Sequence, residues 1–197
     1  MGIMKRKSYY ISLTLVAFCF MVAPVAASRD FVAAGIALVA KEEQSALIFL
    51  VKHHSRSWYE MPGGRRQMVE DARIERGKRS ETAYETAIRE CYEESGGFLS
   101  PEFLRRIVDP SRMMRDGGFV FFVAITDWFA LSDLPGAADS GHENAHAFRE
   151  IERYAWVPVK NVLASENATV VDADGRSLEV RRELKSRLMR AREAGWL

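Results

Sequence analysis

The chain has 197 residues, 48% of them hydrophobic, which is enough to bury one full core, and a single domain is the default. Its net charge is +1, and taking away the three cations Lys5, Arg6 and Lys7 at the N-terminus leaves −2. A domain this close to neutral gives no sign of a nucleic-acid surface.

The N-terminus has three parts: the basic Lys5-Arg6-Lys7, an uncharged run over residues 8–27, and the small residues Val25-Ala26-Ala27 before Ser28. That order predicts a signal peptide over residues 1–27 and a mature domain over 28–197. The run is also about long enough to span a bilayer, so an uncleaved anchor is the close competitor; either way the domain is expected in the periplasm or secreted. A start at Met21 would leave a cytoplasmic protein instead. The bulky Phe18 disfavours a lipid anchor at Cys19, and Cys91 then has no partner in the mature chain and reads as a small buried residue.

Residues 31–40 and 46–51 read as two strands joined by a turn at 41–44, the second apolar enough to be buried on both faces. His53 and His54 follow in a polar loop and are read as solvated rather than as phosphate contacts. Pro62-Gly63-Gly64 is a backbone device that lets a ligand approach N–H groups closely, which makes Gly63 and Gly64 candidate substrate-binding residues. Residues 65–80 carry Arg65, Arg66, Arg73, Arg76, Lys78 and Arg79 among Glu70, Asp71 and Glu75. Two readings stay open there: a basic lip gripping phosphates through Arg65 and Arg66, or a solvated, salt-bridged helical turn.

Ser80 is placed to cap the next helix and Glu81 to favour its first turn, while Tyr84, Ala87, Ile88 and Cys91 recur at helical spacing. Gly96-Gly97 stops the helix. Glu90 and Glu94, four apart, project side by side off the apolar face, with Glu93 about a turn from Glu90. Carboxylates so placed repel one another, and the compensating species they suit is a hard divalent cation, Mg²⁺ or Mn²⁺. Arg89 has Glu85 or Glu93 within reach and is expected to orient a carboxylate.

Glu81, Arg89, Glu90, Cys91, Glu93, Glu94 and Gly96, with Tyr59-Glu60-Met61-Pro62-Gly63-Gly64 ahead of them, resemble the Nudix box. The resemblance implies an α/β/α sandwich around a mixed sheet and Mg²⁺- or Mn²⁺-dependent hydrolysis of a diphosphate linkage in a nucleoside diphosphate joined to another group. It also implies that Glu90 and Glu94 are metal ligands and that Glu93 is a ligand or the base that takes a proton from water. One departure stands out: sixteen residues separate Gly64 from Glu81, where the family usually has five. Gly77-Lys78 resembles the usual Gly-Glu pair, with lysine in place of glutamate.

Further on, residues 98–108 read as a connection, Asp109-Pro110 as a turn, and residues 119–125 as the most strand-like run in the chain. A polar loop over 132–141 precedes a strand over 151–159 whose Trp156-Val157-Pro158 resembles a second, weaker family feature. The family's late loop often supplies another glutamate, which makes Glu143 and Glu150 candidates. His142-Glu143-Asn144-Ala145-His146 also satisfies the zincin pattern, the basis of a rival reading as an exported zinc peptidase. The loop-like Asp139-Ser140-Gly141 and the missing third ligand weigh against it. The tail reads as strand, Asp-Gly turn and strand over 170–178, followed by a helix over 179–194.

The expected chemistry is attack of a metal-activated water on phosphorus, with Glu93 as first choice of base. A catalytically silent Nudix nucleotide-binding module and a structural envelope protein compete with this reading. Nucleotide sugars, dinucleoside polyphosphates and inositol pyrophosphates all stay open as substrates.

Overall fold

The computed structural model describes residues 31–41, 45–71, 77–134 and 150–197. Within them the two expected apolar runs form β1 (Ala33–Lys41) and β2 (Ala46–His53), antiparallel with Val39 opposite Ile48. Two short strands follow, β3 (Tyr59–Glu60) on β2 and β4 (Gly63–Arg65) on β1. β5 (Met68–Glu70) and β6 (Lys78–Ser80) make a separate hairpin ahead of α1 (Ala83–Glu94). Next come α2 (Pro101–Ile107), β7 (Val108–Asp116), β8 (Phe119–Thr126), β9 (Ile151–Pro158) and α3 (Val159–Ala164). The hairpin of β10 (Thr169–Val171) and β11 (Ser177–Glu179) leads into α4 (Glu183–Glu193).

The main sheet is mixed: β1 runs parallel to β8 from Ala33 to Ala40 and antiparallel to its other neighbours. β9 lies along β2, and β7 along β8. One edge of β1 is shared, because β2 pairs with Val39–Lys41 and then peels away, while β4 takes Ala33–Gly35. The chain bridges the resulting gap at Met61-Pro62, and the Pro62 carbonyl accepts the Ile36 N–H at 2.9 Å. That split positions the site.

Alternation along the central strands sorts their side chains onto two faces, each of which must be covered. Ile36, Leu38, Phe49, Val51 and Phe122 meet Ala87, Ile88 and Cys91 of α1 and Leu104 of α2. On the other face, Ala37, Ile48, Leu50, Phe121 and Val123 meet Val162 of α3 and Leu184, Leu188 and Ala191 of α4. The result is the expected α/β/α sandwich. Among the described residues no helix is long and apolar enough to cross a membrane.

Several local expectations are corrected. Thr82, not Ser80, caps α1: its Oγ1 accepts the Glu85 N–H at 3.2 Å while the Glu85 carboxylate accepts the Thr82 N–H at 2.8 Å, a reciprocal capping box. Ser80 ends β6 instead, and the described parts of the insertion on either side of residues 72–76 pair as antiparallel strands rather than forming a helical turn. Residues 101–107 are helical, with the Ser100 hydroxyl accepting the Phe103 N–H and Pro101 opening the first turn. Asp109-Pro110 lies inside β7, at a register shift between Val108 and Met113. The last helix starts at Glu183, because Ser177–Glu179 is strand.

Candidate active site

The long insertion does not pull the Pro-Gly-Gly loop away from the helix. Glu81 N–H donates to the Gln67 carbonyl and the Gln67 N–H donates to the Glu81 carboxylate, both at 2.9 Å. The chain therefore closes on itself at the base of the β5–β6 pair, where Gln67 and Glu81 are neighbours. The unusual spacing in sequence disappears in space.

Glu81 is 4% exposed, and burial alone would raise its pKa. Arg89, the Gln67 N–H and the Thr86 hydroxyl together outweigh burial and hold it below the ordinary value. Arg89 is the hub of the arrangement. Its Nε and Nη2 reach Glu81 at 2.8 and 3.0 Å, its Nη1 reaches Glu90 at 2.7 Å and Glu93 at 2.9 Å, and Nη2 also donates to the Arg65 carbonyl at 2.8 Å. One guanidinium thus ties loop to helix and orients carboxylates, as expected for Arg89, although Glu85 pairs with Arg79 instead.

The other carboxylates are balanced less completely. Burial, partly offset by Arg89 and reinforced by Glu94 and Glu93, pushes Glu90 up to about 7. Burial also raises Glu93, against Arg89. Glu94, expected off the apolar face, is only 4% exposed, and burial raises its pKa against the His53 imidazole and the Gly63 N–H. Its Oε2 accepts that N–H at 2.8 Å, and its Oε1 lies 2.9 Å from His53 Nε2.

The two glycines make this proximity possible. A Cβ on Gly64 would sit 2.3 Å from the Glu90 carboxyl carbon, and one on Gly63 would sit 2.7 Å from the Gly35 Cα. Both are candidate substrate contacts by sequence; the structure places their backbone against Glu90 and Glu94. Arg66 stacks over the Phe31 ring at 5.0 Å. Arg65 is exposed and borders a cavity of about 310 Å³ with Arg56, Glu60, Arg181 and Arg187.

His53 corrects the sequence reading most sharply. It is 6% exposed, and Phe49 and Val51, four and two positions earlier, point to the same α1 face, which is the period-two signal that could have found it. Glu60, between the oppositely buried Tyr59 and Met61, is also buried; Arg181 Nη1 reaches it at 2.9 Å and Arg56 contacts it. Tyr154 closes the floor, stacked on Phe49, its phenol pushed up to about 12 by burial and by Glu94. Glu150 reaches the rim with its side chain 68% exposed and a carboxylate oxygen 3.9 Å from His53 Nδ1. Glu143, His142 and His146 lie outside the described residues.

The donor chemistry fits a hard divalent cation. Among the described residues no three His, Cys, Asp or Glu groups form a ready-made cage. Mg²⁺, however, is usually bound through one or two carboxylates, with waters and substrate phosphates completing its shell. Glu90 and Glu94, each against one glycine of the Gly63-Gly64 turn, would be the carboxylates to hold it, and a cation there would offset the charge that burial makes costly.

The fold resembles solved structures at low similarity. The Ap4A hydrolase of C. elegans is 16% identical over 83% of this chain and 95% of its own, with a TM-score of 0.45. The Nudix hydrolase RenU of M. smegmatis is 16% identical over 84% and 86%, with a TM-score of 0.40. The NUDIX domain of Shewanella oneidensis NrtR, complexed with ADP ribose, is 14% identical over 87% and 92%, with a TM-score of 0.43. These likenesses are too distant to bear on substrate, and no curated protein matches the chain significantly. The NUDIX domain model, in contrast, matches residues 30–178, a span containing every element from β1 to β10 and the whole Arg89 network, and the chain belongs to the NUDIX family.

Proposed function

We propose that the chain is a divalent-metal-dependent hydrolase that cleaves a diphosphate linkage in a small molecule. The observation that carries this reading is the convergence of Glu90, Glu93 and Glu94, all with carboxyl pKa values raised by burial, beside a turn whose two glycines admit them. Glu90 and Glu94 would hold Mg²⁺ or Mn²⁺. When bound, such an ion neutralises charge on phosphate oxygens and makes a coordinated water acidic.

The chain's own residues do the rest. Arg89 fixes Glu93 at 2.9 Å, and burial raises the affinity of that carboxyl for a proton. Glu93 is therefore assigned the proton of the attacking water. Glu150, at the rim on the approach to β9, is the described late-loop carboxylate able to assist. Arg65 and the cavity it shares with Arg56 and Arg181 offer cations for the phosphate or leaving group furthest from the helix. The leader over residues 1–27 supports action outside the cytoplasm, as an exported or anchored domain. The zinc-peptidase reading gains no support, since its residues lie outside the described ones.

The test is a panel of nucleotide sugars, dinucleoside polyphosphates and inositol pyrophosphates incubated with the protein and Mg²⁺ or Mn²⁺. Metal-dependent cleavage of at least one, abolished by Glu93→Gln, supports the reading. A nucleotide that binds without being cleaved would instead establish a silent binding module. Peptide cleavage lost in His142→Ala and kept in Glu94→Gln would establish the peptidase.

A further inference from the structure

Gly63 and Gly64 touch Glu94 and Glu90, and both also border the cavity of about 310 Å³. Charge there has the opposite sign: Arg56, Arg65, Arg181 and Arg187 line it, against Glu60 alone among the described residues of its wall. Three of the four guanidiniums are already matched. Arg56 and Arg181 both meet Glu60, Arg181 also reaches Glu183 at 3.2 Å, and Arg187, 4.2 Å over the Phe119 ring, holds Asp116 at 2.8 Å. Arg65 differs, because its side chain is exposed and pairs with no carboxylate among the described residues. Its backbone is nonetheless pinned to the site: the Arg65 carbonyl accepts from Arg89 Nη2 at 2.8 Å, and β4 sets Arg65 opposite Ala33. A guanidinium fixed at its root and unmatched at its tip, on the wall of a cationic hollow, is suited to a bidentate grip on phosphate. The hollow lies at the lower end of the range for small-molecule pockets, about 300–1,000 Å³, so it fits one group of a substrate rather than the whole. A second cavity of about 550 Å³ shares Arg56 and Arg181 with it and has room for whatever that group carries.

We infer that this cavity binds a phosphate of the substrate other than the two joined by the scissile bond, and that Arg65 thereby selects diphosphates carrying such a further phosphate over nucleotide sugars. This inference rests on the hydrolase reading above and adds to it the class of substrate. Dinucleoside polyphosphates and inositol pyrophosphates share the required chemistry. A nucleotide sugar, whose only phosphates are the two being parted, leaves Arg65 without an anion.

The experiment measures kcat/KM of the full chain, with Mg²⁺ or Mn²⁺, on four compounds: diadenosine diphosphate, diadenosine tetraphosphate, an inositol pyrophosphate and a nucleotide sugar. At least one of the two polyanions should be cleaved at least about tenfold better than diadenosine diphosphate and the nucleotide sugar, the scale of one charge-assisted hydrogen bond, and which one it is identifies the source of the phosphate. The preference should shrink as added salt screens the exposed Arg65, a readout that needs no variant. Arg65→Met keeps the stem and the backbone carbonyl and should cut the preference about tenfold. Arg65→Lys, a point charge without the planar fork, should fall between Arg65→Met and the wild type. A nucleotide sugar cleaved as well as the polyanions, or a preference that is indifferent to salt or unchanged in Arg65→Met, overturns the inference and leaves the hydrolase reading intact. No cleavage of any of the four with either metal overturns both.

Discussion

The two halves of α1 are similarly acidic in sequence and opposite in electrostatics. Around its start, Glu81 and Glu85 are matched by Arg89 and Arg79 and by backbone N–H groups; Glu81 is held below its ordinary pKa, and Arg79 takes Glu85 to about 2. Toward its end, Glu94 is buried and Glu90 and Glu93 are half-buried, with too few donors, and all three are pushed up. The first half is architecture, satisfied within the protein. The second is held short of positive charge, and that deficit marks it as the candidate site.

The largest way to break the contrast is to remove the residue that serves both halves. Arg89→Leu leaves Glu81 buried without its cation and frees Glu93 and Glu90, so unfolding free energy should fall by about 3–5 kcal/mol, as when one partner of a buried pair is lost. Chemical denaturation would show this, and any diphosphate hydrolysis should fall with it. A gentler break targets the second half alone. Gly64→Ala drives a Cβ into the Glu90 carboxyl group, and stability should drop by about 1–3 kcal/mol, the usual scale of overpacking, with hydrolysis reduced more than the thermal midpoint suggests.

Acidity sharpens the comparison further. Glu90's folded pKa of about 7 lies above its ordinary 4.5, so its contribution to stability is fully present below pH 4.5 and is lost as pH rises through 7. Glu85 does the reverse: its contribution is present above pH 4.5 and is lost as pH falls toward 2. In metal-free protein, Glu90→Gln should flatten the decline of the thermal midpoint between pH 5 and 7, and Glu85→Gln should alter only the acid limb. The smallest effect expected is from replacing residues 68–80 by a short glycine linker. Gln67 and Glu81 already meet, so the change should stay within about 1 kcal/mol, the scale of loop closure and of the solvent-screened, half-buried Arg79–Glu85 pair it removes.

Much of this was legible because it is local. Glu90, Glu93, Glu94 and Arg89 sit at helical spacing on one continuous element, and the alternating or apolar runs gave the central strands. The Thr82-x-x-Glu85 box and the Ser100-Pro101 start of α2 are equally local, yet the sequence reading puts the cap at Ser80 and a connection over 98–108 and so misses both. What stayed hidden depends on pairing between distant segments. The hairpin that restores the short loop needs Gln67 to meet Glu81; the burial of His53 needs α1 to lie over the end of β2; and Glu60 needs Arg181, delivered from the far end of the chain by the Arg181 N–H on the Tyr59 carbonyl. A polar residue next to an exposed His54 reads as loop until that packing is known.

The most direct test of the contrast is a calorimetric Mn²⁺ titration of the wild type, Glu90→Gln, Glu94→Gln and Glu85→Gln. The account predicts binding that is lost or severely weakened in the first two variants and unchanged in Glu85→Gln. Binding that survives in Glu90→Gln and Glu94→Gln, or that fails equally in Glu85→Gln, would contradict it.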